Sequence, residues 1–339
     1  MPAETTGRNQ TAHRMFKPRY RAIVYQTLLA AAVFLAAWYL ISNAVENLLA
    51  RRIASGFGFL SREAGFEIGE TTLLAYNASD SYFKALAIGL FNTFRVALLA
   101  IFFSTLIGGT LGLARLAPNW LLAKLASAYV EVLRNVPLVV QLFFWYAVIT
   151  ESLPAPAEAL SPLPGIFLSN RGIAFPTFAA NFGGVLDYPV LSGFNFSGGG
   201  SLSPEFAALF FGLALYTAAF IGEIVRAGIL SVERGQFEAA RSLGLTDSQV
   251  MRFVILPQAL RVIVPPVTSQ YLNCTKNSSL AVAIGYPDLV AIVNTTINQT
   301  GQAIEGIAII MLVYLAISLA ISSLMNWYNA RIGLRGAKS

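Results

Sequence analysis

The chain has little of what soluble enzymes use for chemistry and for solvation. It has one cysteine, Cys274, and one histidine, His13, so an intrachain disulfide and a Cys/His zinc cluster are both excluded. No G-x-x-x-x-G-K-[ST] occurs, the loop whose backbone amides hold ATP phosphates. Only 12% of the residues are charged, roughly half the fraction of a typical soluble domain. These absences argue against a soluble metalloenzyme and against an ATPase.

Apolar sequence is abundant instead, at 56% of the 339 residues. The uncharged runs are 22–45, 96–114, 135–150, 206–222 and 306–330. The first, second and last are long enough to cross a bilayer unaided, at about 20 residues per crossing. A further helix is expected from Pro257 to about Asn273, kinked by Pro265 and Pro266. The sequence therefore predicts an all-α polytopic membrane protein with about six transmembrane helices.

Lys and Arg residues predict which side of the membrane each segment faces. A basic tail, 1–21, precedes the first apolar helix at 22–45, and a second basic tail occupies 331–339, so both termini are expected in the cytoplasm. The segment 46–84 is net acidic despite Arg51 and Arg52, and the insert 151–203 has Arg171 as its only basic residue, so both are expected on the periplasmic side. Because the insert is rich in Pro, Ser and Gly, we expect a turn-rich external loop within a core domain at 85–330.

The most specific pattern is a charged segment, 231–257, between two apolar stretches. Two alanines follow a glutamate there and allow a neighbouring surface to approach closely, and a glycine then ends the helix. Thr246 and Gln249 fit a capping box that starts a second short helix, and a proline suits the first turn of the next one. We expect a compact protrusion on which a soluble partner docks, with an amphipathic loop on lipid headgroups as the alternative. The defining residues are Glu238, Ala239, Ala240, Gly244, Leu256 and Pro257.

This segment resembles the signature loop of the membrane permease subunits of bacterial ABC importers. The stretches 129–144 and 220–240, and Lys-Asn-Ser-Ser-Leu-Ala at 276–281, are similar to permeases of the histidine, glutamine and arginine transporter group. Together they cover residues 88–330. The additional first helix and the Gly/Phe-rich stretch 56–66 resemble the first permease of the general L-amino-acid systems. Ser278, Phe237 and Val254 stand where those families usually have Thr, Trp and Ile.

The resemblance implies a type I ABC importer with the methionine-permease-like fold in the bacterial inner membrane. Its expected partners are a second homologous permease, making a heterodimer, two ATP-binding subunits that carry ATP and Mg²⁺, and a periplasmic amino-acid-binding protein. The chain itself is then expected to bind no cofactor, metal or nucleic acid and to catalyse no reaction. The insert at 151–203 either contacts the binding protein or is a lid without ligand contact.

Two E-x-x-R pairs lie in or beside apolar runs, Glu131 with Arg134 and Glu223 with Arg226. Each pair shares a helix face. An unpaired charge at membrane depth costs about 2.5–3.5 kcal/mol, so each pair is expected to form an ion pair. The pairs either lock helices together or take part in gating or in gripping a charged group of the substrate.

Three polar residues, Asn277, Ser278 and Ser279, follow the helix that contains the two prolines. Irregular backbone at membrane depth is tolerated where it lines a cavity, so these residues are candidates for contact with a zwitterionic substrate. They equally suit a structure in which they satisfy one another's hydrogen bonds.

Two rival functions remain open at this point. An ion-coupled secondary amino-acid transporter would use Glu131 or Glu223 as a proton carrier and would need no docking loop. A non-transporting membrane scaffold would use Gly108 and Gly112, spaced as G-x-x-x-G, as a packing face.

Overall fold

The structure is a computed structural model that describes residues 18–50, 55–71, 74–178 and 186–334. The chain divides into two compact units, Met1–Gly56 and Phe57–Ser339. The first unit contains helix α1, Pro18–Ala50, of which Ala22–Asn43 is apolar enough to cross a membrane. Helix α1 covers the range 22–45 where a helix was expected, and it begins inside the stretch assigned to the basic tail 1–21. Residues 1–17 of that tail, and 335–339 of the second tail, lie outside the described residues.

The second unit is mainly helical, with an insert of short strands between two of the helices. The bounds of the helices are α2 Tyr82–Ala114, α3 Trp120–Asn135, α4 Leu138–Ala147, α5 Pro204–Leu230, α6 Arg234–Ser242, α7 Asp247–Val250, α8 Leu256–Asn277, α9 Leu289–Thr300 and α10 Ala303–Leu334. Short 3-10 helices occupy Phe57–Ser61, Pro156–Glu158 and Ser278–Ile284, and π-helical turns occupy Val148–Ser152 and Met251–Ile255. Within the described residues of both units, and with α1 included, five helical stretches can span a membrane, and a sixth if α3 and α4 count as one span.

A sharp bend of 104° separates α3 from α4. Val136 adopts an extended conformation there because the α region is disfavoured before a proline, and Pro137 then starts α4. The side chain of Gln141 donates hydrogen bonds of 2.9 and 3.0 Å to the carbonyl oxygens of Leu133 and Val136. It thus satisfies carbonyls that the end of α3 leaves open. The run 135–150 counts as one crossing on sequence grounds, and the bend was not predicted.

The insert expected as a turn-rich loop at 151–203 contains short β-strands. They are β1 Leu160–Leu163, β2 Ile166–Ser169, β3 Gly172–Phe175, β4 Thr177–Phe178, β5 Leu186–Asp187, β6 Val190–Ser192, β7 Asn195–Ser197 and β8 Gly200–Leu202. An antiparallel sheet has the order β1-β2-β3-β8, and β4–β5 and β6–β7 form two-stranded ribbons. The expectation of turns alone was therefore incomplete. Ser203 then caps α5 by accepting a hydrogen bond from the Phe206 amide, as the sequence predicts.

Helices α2 and α5 pack closely along the glycine face of α2. A Cβ atom on Gly108 would lie 2.7 Å from the Cβ of Ile221, and one on Gly112 would lie 2.6 Å from the Cβ of Val225. Only glycine allows this approach, since real Cβ atoms keep larger separations. The G-x-x-x-G motif therefore holds two helices of the same chain together.

The segment that precedes α2 packs on the end of that helix and on α9. Phe59 and Ile68 are buried against Leu289 and Ile292 of α9. Helix α2 begins at Tyr82, capped by Ser81, three residues before the expected core boundary at 85. Next to this cap, the Lys84 ammonium lies 2.7 Å from the Asp80 carboxylate and holds the pKa of Asp80 below its usual value. This segment is thus an ordered part of the second unit.

Candidate docking loop and membrane ion cluster

The expected protrusion forms two short helices, α6 and α7, separated by Gly244. This glycine adopts a left-handed conformation with φ of 82°, which a residue with a Cβ rarely takes. The capping box is present as expected: Gln249 Oε1 accepts the Thr246 amide at 2.9 Å, and Thr246 Oγ1 accepts the Gln249 amide at 3.4 Å. Helix α7 is shorter than expected, because a π-helical turn from Met251 leads into α8, whose first turn contains Pro257.

The loop has an inner side that anchors it and an outer side that is exposed. Ala240 is only 6% exposed and packs with Val250 and Ile255 in an apolar cluster. Ala239 is exposed, and the Leu243 side chain at the end of α6 is 81% exposed. The small residue that a partner surface can approach is therefore Ala239, whereas Ala240 supports the loop from within. Glu238, Gly244, Leu256 and Pro257 are also exposed.

An exposed ion pair links the two short helices. Arg241 donates from Nε to Asp247 Oδ1 at 2.7 Å, and its guanidinium lies 4.7 Å from the centroid of the Phe237 ring. These contacts join the end of α6 to the start of α7. The exposed face of the loop is thus carried on a braced scaffold.

A second ion cluster lies where α2, α3 and α5 meet. Arg226 pairs with Glu223 through Nη2 to Oε1 at 2.6 Å, which confirms the expected pairing. Arg115 also forms an ion pair with Glu223, and its Nε donates to Ser127 Oγ on α3 at 3.2 Å. The Arg115 side chain is only 11% exposed. The sequence analysis missed Arg115, although it is the first charged residue after the uncharged run 96–114.

The second expected pair, Glu131 with Arg134, is not formed, and that prediction was wrong. Both side chains are exposed on α3, so neither charge needs a partner within this chain to offset burial. The guanidinium of Arg134 instead lies 5.1 Å from the centroid of the Phe220 ring on α5. The two charges of this E-x-x-R pair are therefore presented separately on the surface of the chain.

The three polar residues at the end of α8 are not equivalent. Ser278 is fully buried, and its hydroxyl donates to the Thr275 carbonyl oxygen at 2.7 Å. Ser279 donates to the Lys276 carbonyl oxygen at the same distance, but it is partly exposed, as is Asn277. The geometry favours the structural alternative for Ser278. It leaves Asn277 and Ser279 as the residues of this set that a ligand can reach.

A buried carboxylate that the sequence analysis did not single out lies beyond this turn. Asp288 caps α9, since its carboxylate accepts a hydrogen bond from the Ala291 amide at 2.8 Å. The Thr93 hydroxyl of α2 accepts a hydrogen bond from the amide of Leu289, the first residue of α9, at 3.1 Å. These bonds tie the start of α9 to the middle of α2. Within the described residues, no three His, Cys, Asp or Glu side chains gather in a group that could hold a metal ion.

Comparison with known proteins agrees with this geometry. The family described as "Binding-protein-dependent transport system inner membrane component" matches residues 100–334. The general L-amino acid transport system permease protein AapQ of Rhizobium johnstonii is 41% identical over 94% of each chain. The putative amino-acid ABC transporter permease protein YhdX of Escherichia coli is 46% identical over 94% of this chain and 95% of its own.

Two solved structures share the arrangement of helices. A crystal structure of an amino acid ABC transporter with histidines superposes with a TM-score of 0.54 at 28% identity, covering 74% of this chain and 95% of that one. An inward-facing structure of the MetNI methionine ABC transporter gives a TM-score of 0.52 at 18% identity, covering 74% of this chain and 97% of that one. The second likeness concerns the fold alone, and it confirms the expected methionine-permease-like architecture.

Proposed function

Because this chain belongs to the family of binding-protein-dependent transport system inner membrane components, with the fold of a type I ABC importer permease, we propose that it forms part of the pathway by which polar L-amino acids enter the cell. The observation that carries the proposal is the loop of α6 and α7, braced from within and exposed at Ala239 and Leu243. The names of the relatives AapQ and YhdX support amino acids as the substrate class.

The proposed assembly has this chain beside a second, homologous permease, most simply as a heterodimer. Two ATP-binding subunits seat on the docking loops and supply ATP and Mg²⁺, while a periplasmic binding protein delivers the amino acid. The permease lies in the inner membrane with both termini in the cytoplasm, in agreement with the basic tails. Closure of the ATP-binding subunits moves the loops, and rigid-body movement of the helices opens the pathway to each side in turn.

For the substrate we propose contact with Glu131 and Arg134 on α3 and with Asn277 and Ser279 at the end of α8. A zwitterion leaving water needs an anion near its ammonium group and a cation near its carboxylate, because an unpaired charge is costly to desolvate. The exposed charges of Glu131 and Arg134, which do not pair with each other, support this role.

The test is purification of the membrane complex through an affinity tag on this chain, followed by reconstitution into proteoliposomes. We expect an ATP-binding subunit to copurify, and uptake of radiolabelled polar amino acids to require internal ATP and the binding protein. If no ATP-binding subunit copurifies and uptake follows an imposed proton gradient without ATP, the proposal is wrong and the ion-coupled transporter replaces it. If this chain purifies without an ATP-binding subunit and supports neither ATP-dependent nor proton-driven uptake, the scaffold is supported instead.

A further inference from the structure

The Arg115 side chain joins three helices of the core. It closes the C-terminal end of α2, where its backbone amide donates to the Leu111 carbonyl oxygen at 3.0 Å and its positive charge suits the helix dipole. Its guanidinium pairs with Glu223 on α5 through one nitrogen and donates to Ser127 on α3 through another. A planar guanidinium can serve two acceptors in fixed directions, which an ammonium group cannot.

Glu223 connects the ion cluster to α5, the helix that leads into the docking loop. It lies within the last two turns of α5, which ends at Leu230, and α6 begins at Arg234. Arg226 holds the other oxygen of the same carboxylate at 2.6 Å, so the carboxylate has little freedom to turn away. A displacement of α6 is therefore carried along α5 to Glu223 and to Arg115.

Ser127 connects the ion cluster to α3, the helix that leads into the bend at Pro137. Helix α3 is otherwise joined to α5 by the Tyr129 hydroxyl, which donates to the Leu215 carbonyl oxygen at 3.0 Å, and by the contact of Arg134 with Phe220. Beyond Ser127 the same helix continues to the bend that Gln141 braces. The Arg115–Ser127 bond is thus one of several contacts that set the position of α3 relative to α5.

The ion cluster is not the only contact between α2 and α5. These helices are already packed at Gly108 and Gly112, where their backbones approach as closely as glycine allows. What Arg115 adds is the attachment of α3 to that pair through Ser127. The cluster is therefore placed to transmit movement between elements, in addition to holding them.

We propose that Arg115 is a positioning residue for transport: by bonding Glu223 and Ser127 together, it makes α3 and the bend at Pro137 follow the docking-loop helix α5. Loss of either bond loosens the link between α5 and α3, so ATP hydrolysis continues while the pathway lags behind. This inference rests on the proposed function. It concerns coupling alone and assigns Arg115 no contact with substrate.

The test uses the intact importer complex in proteoliposomes and measures ATP hydrolysed per amino acid transported. Ser127→Ala removes the hydrogen bond from Arg115 to α3 and leaves the ion pair with Glu223. Arg115→Lys keeps the positive charge but loses the planar guanidinium that bonds both residues. Both variants should raise the ratio by about two- to thirtyfold, the range that substitutions within coupling networks produce. Thr110→Ala is the matched control, since it removes a hydroxyl of α2 that bonds only its own helix, at Ile107.

A purely structural role would lower transport and ATPase activity together and would lower the melting temperature of the complex. The proposal requires ATPase activity and melting temperature of Ser127→Ala to stay at wild-type values while transport falls. If Arg115→Lys fails to assemble, Ser127→Ala decides alone. An unchanged ratio in an assembled Ser127→Ala complex overturns the inference, whereas absence of an ATP-binding subunit from the wild-type complex overturns the proposed function instead.

Discussion

Replacing Ala239 with Arg should separate docking of the ATP-binding subunits from folding of the permease. Ala239 is exposed on α6, so the new side chain extends into solvent and the free energy of unfolding should change by no more than about 0.5 kcal/mol. If Ala239 lies in a close-packed contact with an ATP-binding subunit, the arginine that replaces it fits only when it or the partner surface moves away. A loss of about 2 kcal/mol there, typical of a central interface residue, weakens association about thirtyfold.

The neighbouring position provides the contrast. Ala240 is 6% exposed inside the apolar cluster with Val250 and Ile255, so Ala240→Arg should destabilise the loop by several kcal/mol by burying an unpaired charge. Copurified ATP-binding subunit, ATP-dependent uptake and melting temperature are measured for each variant. Ala239→Ser keeps the residue small and should behave as wild type. If Ala239→Arg retains a full complement of ATP-binding subunits and normal uptake, the outer face of this loop is not the docking surface.

Three other substitutions probe the helices that support the loop. Gly112→Leu should lower the free energy of unfolding by about 1–3 kcal/mol, because the new side chain overpacks against Val225. Gly109→Leu is the control: no atom lies within 4 Å of its added Cβ, so the melting temperature in detergent should stay unchanged. Glu223→Gln leaves Arg115 and Arg226 facing each other without a carboxylate and should lower the free energy of unfolding by about 2 kcal/mol. Adding Arg226→Gln should recover part of this loss. A double variant less stable than the single one would refute the pairing. Gln141→Ala removes two hydrogen bonds that the side chain donates at the bend and should cost about 1–3 kcal/mol, measured as a shift of the thermal unfolding midpoint.

Features set by neighbouring residues were predictable from the sequence, and features set by distant ones were not. The capping box of Thr246 and the N-cap at Ser203 each depend on three or four consecutive residues, and both are present. Arg115 meets Glu223 across 108 positions of sequence, so no local spacing indicates the pair. The bend does have a local cause in Pro137, but the continuous apolar run around it predicts a straight helix equally well. The strands of the insert contain only two to four residues, too few for an alternating pattern to be recognised.

The failure of Glu131 and Arg134 to pair has a consequence for where a zwitterion can bind. The hydroxyls of Ser278 and Ser279 already donate to backbone carbonyls at 2.7 Å, so each would have to give up a hydrogen bond before serving a substrate carboxylate. Arg134 carries no such cost, because its guanidinium only rests on the ring of Phe220 and remains exposed. A side chain that keeps its charge in water until a ligand arrives can pair with that ligand at a smaller loss of existing bonds. We therefore propose that Glu131 and Arg134, the second of which lies on the Phe220 ring of α5, meet the two ends of an amino acid in preference to the serines.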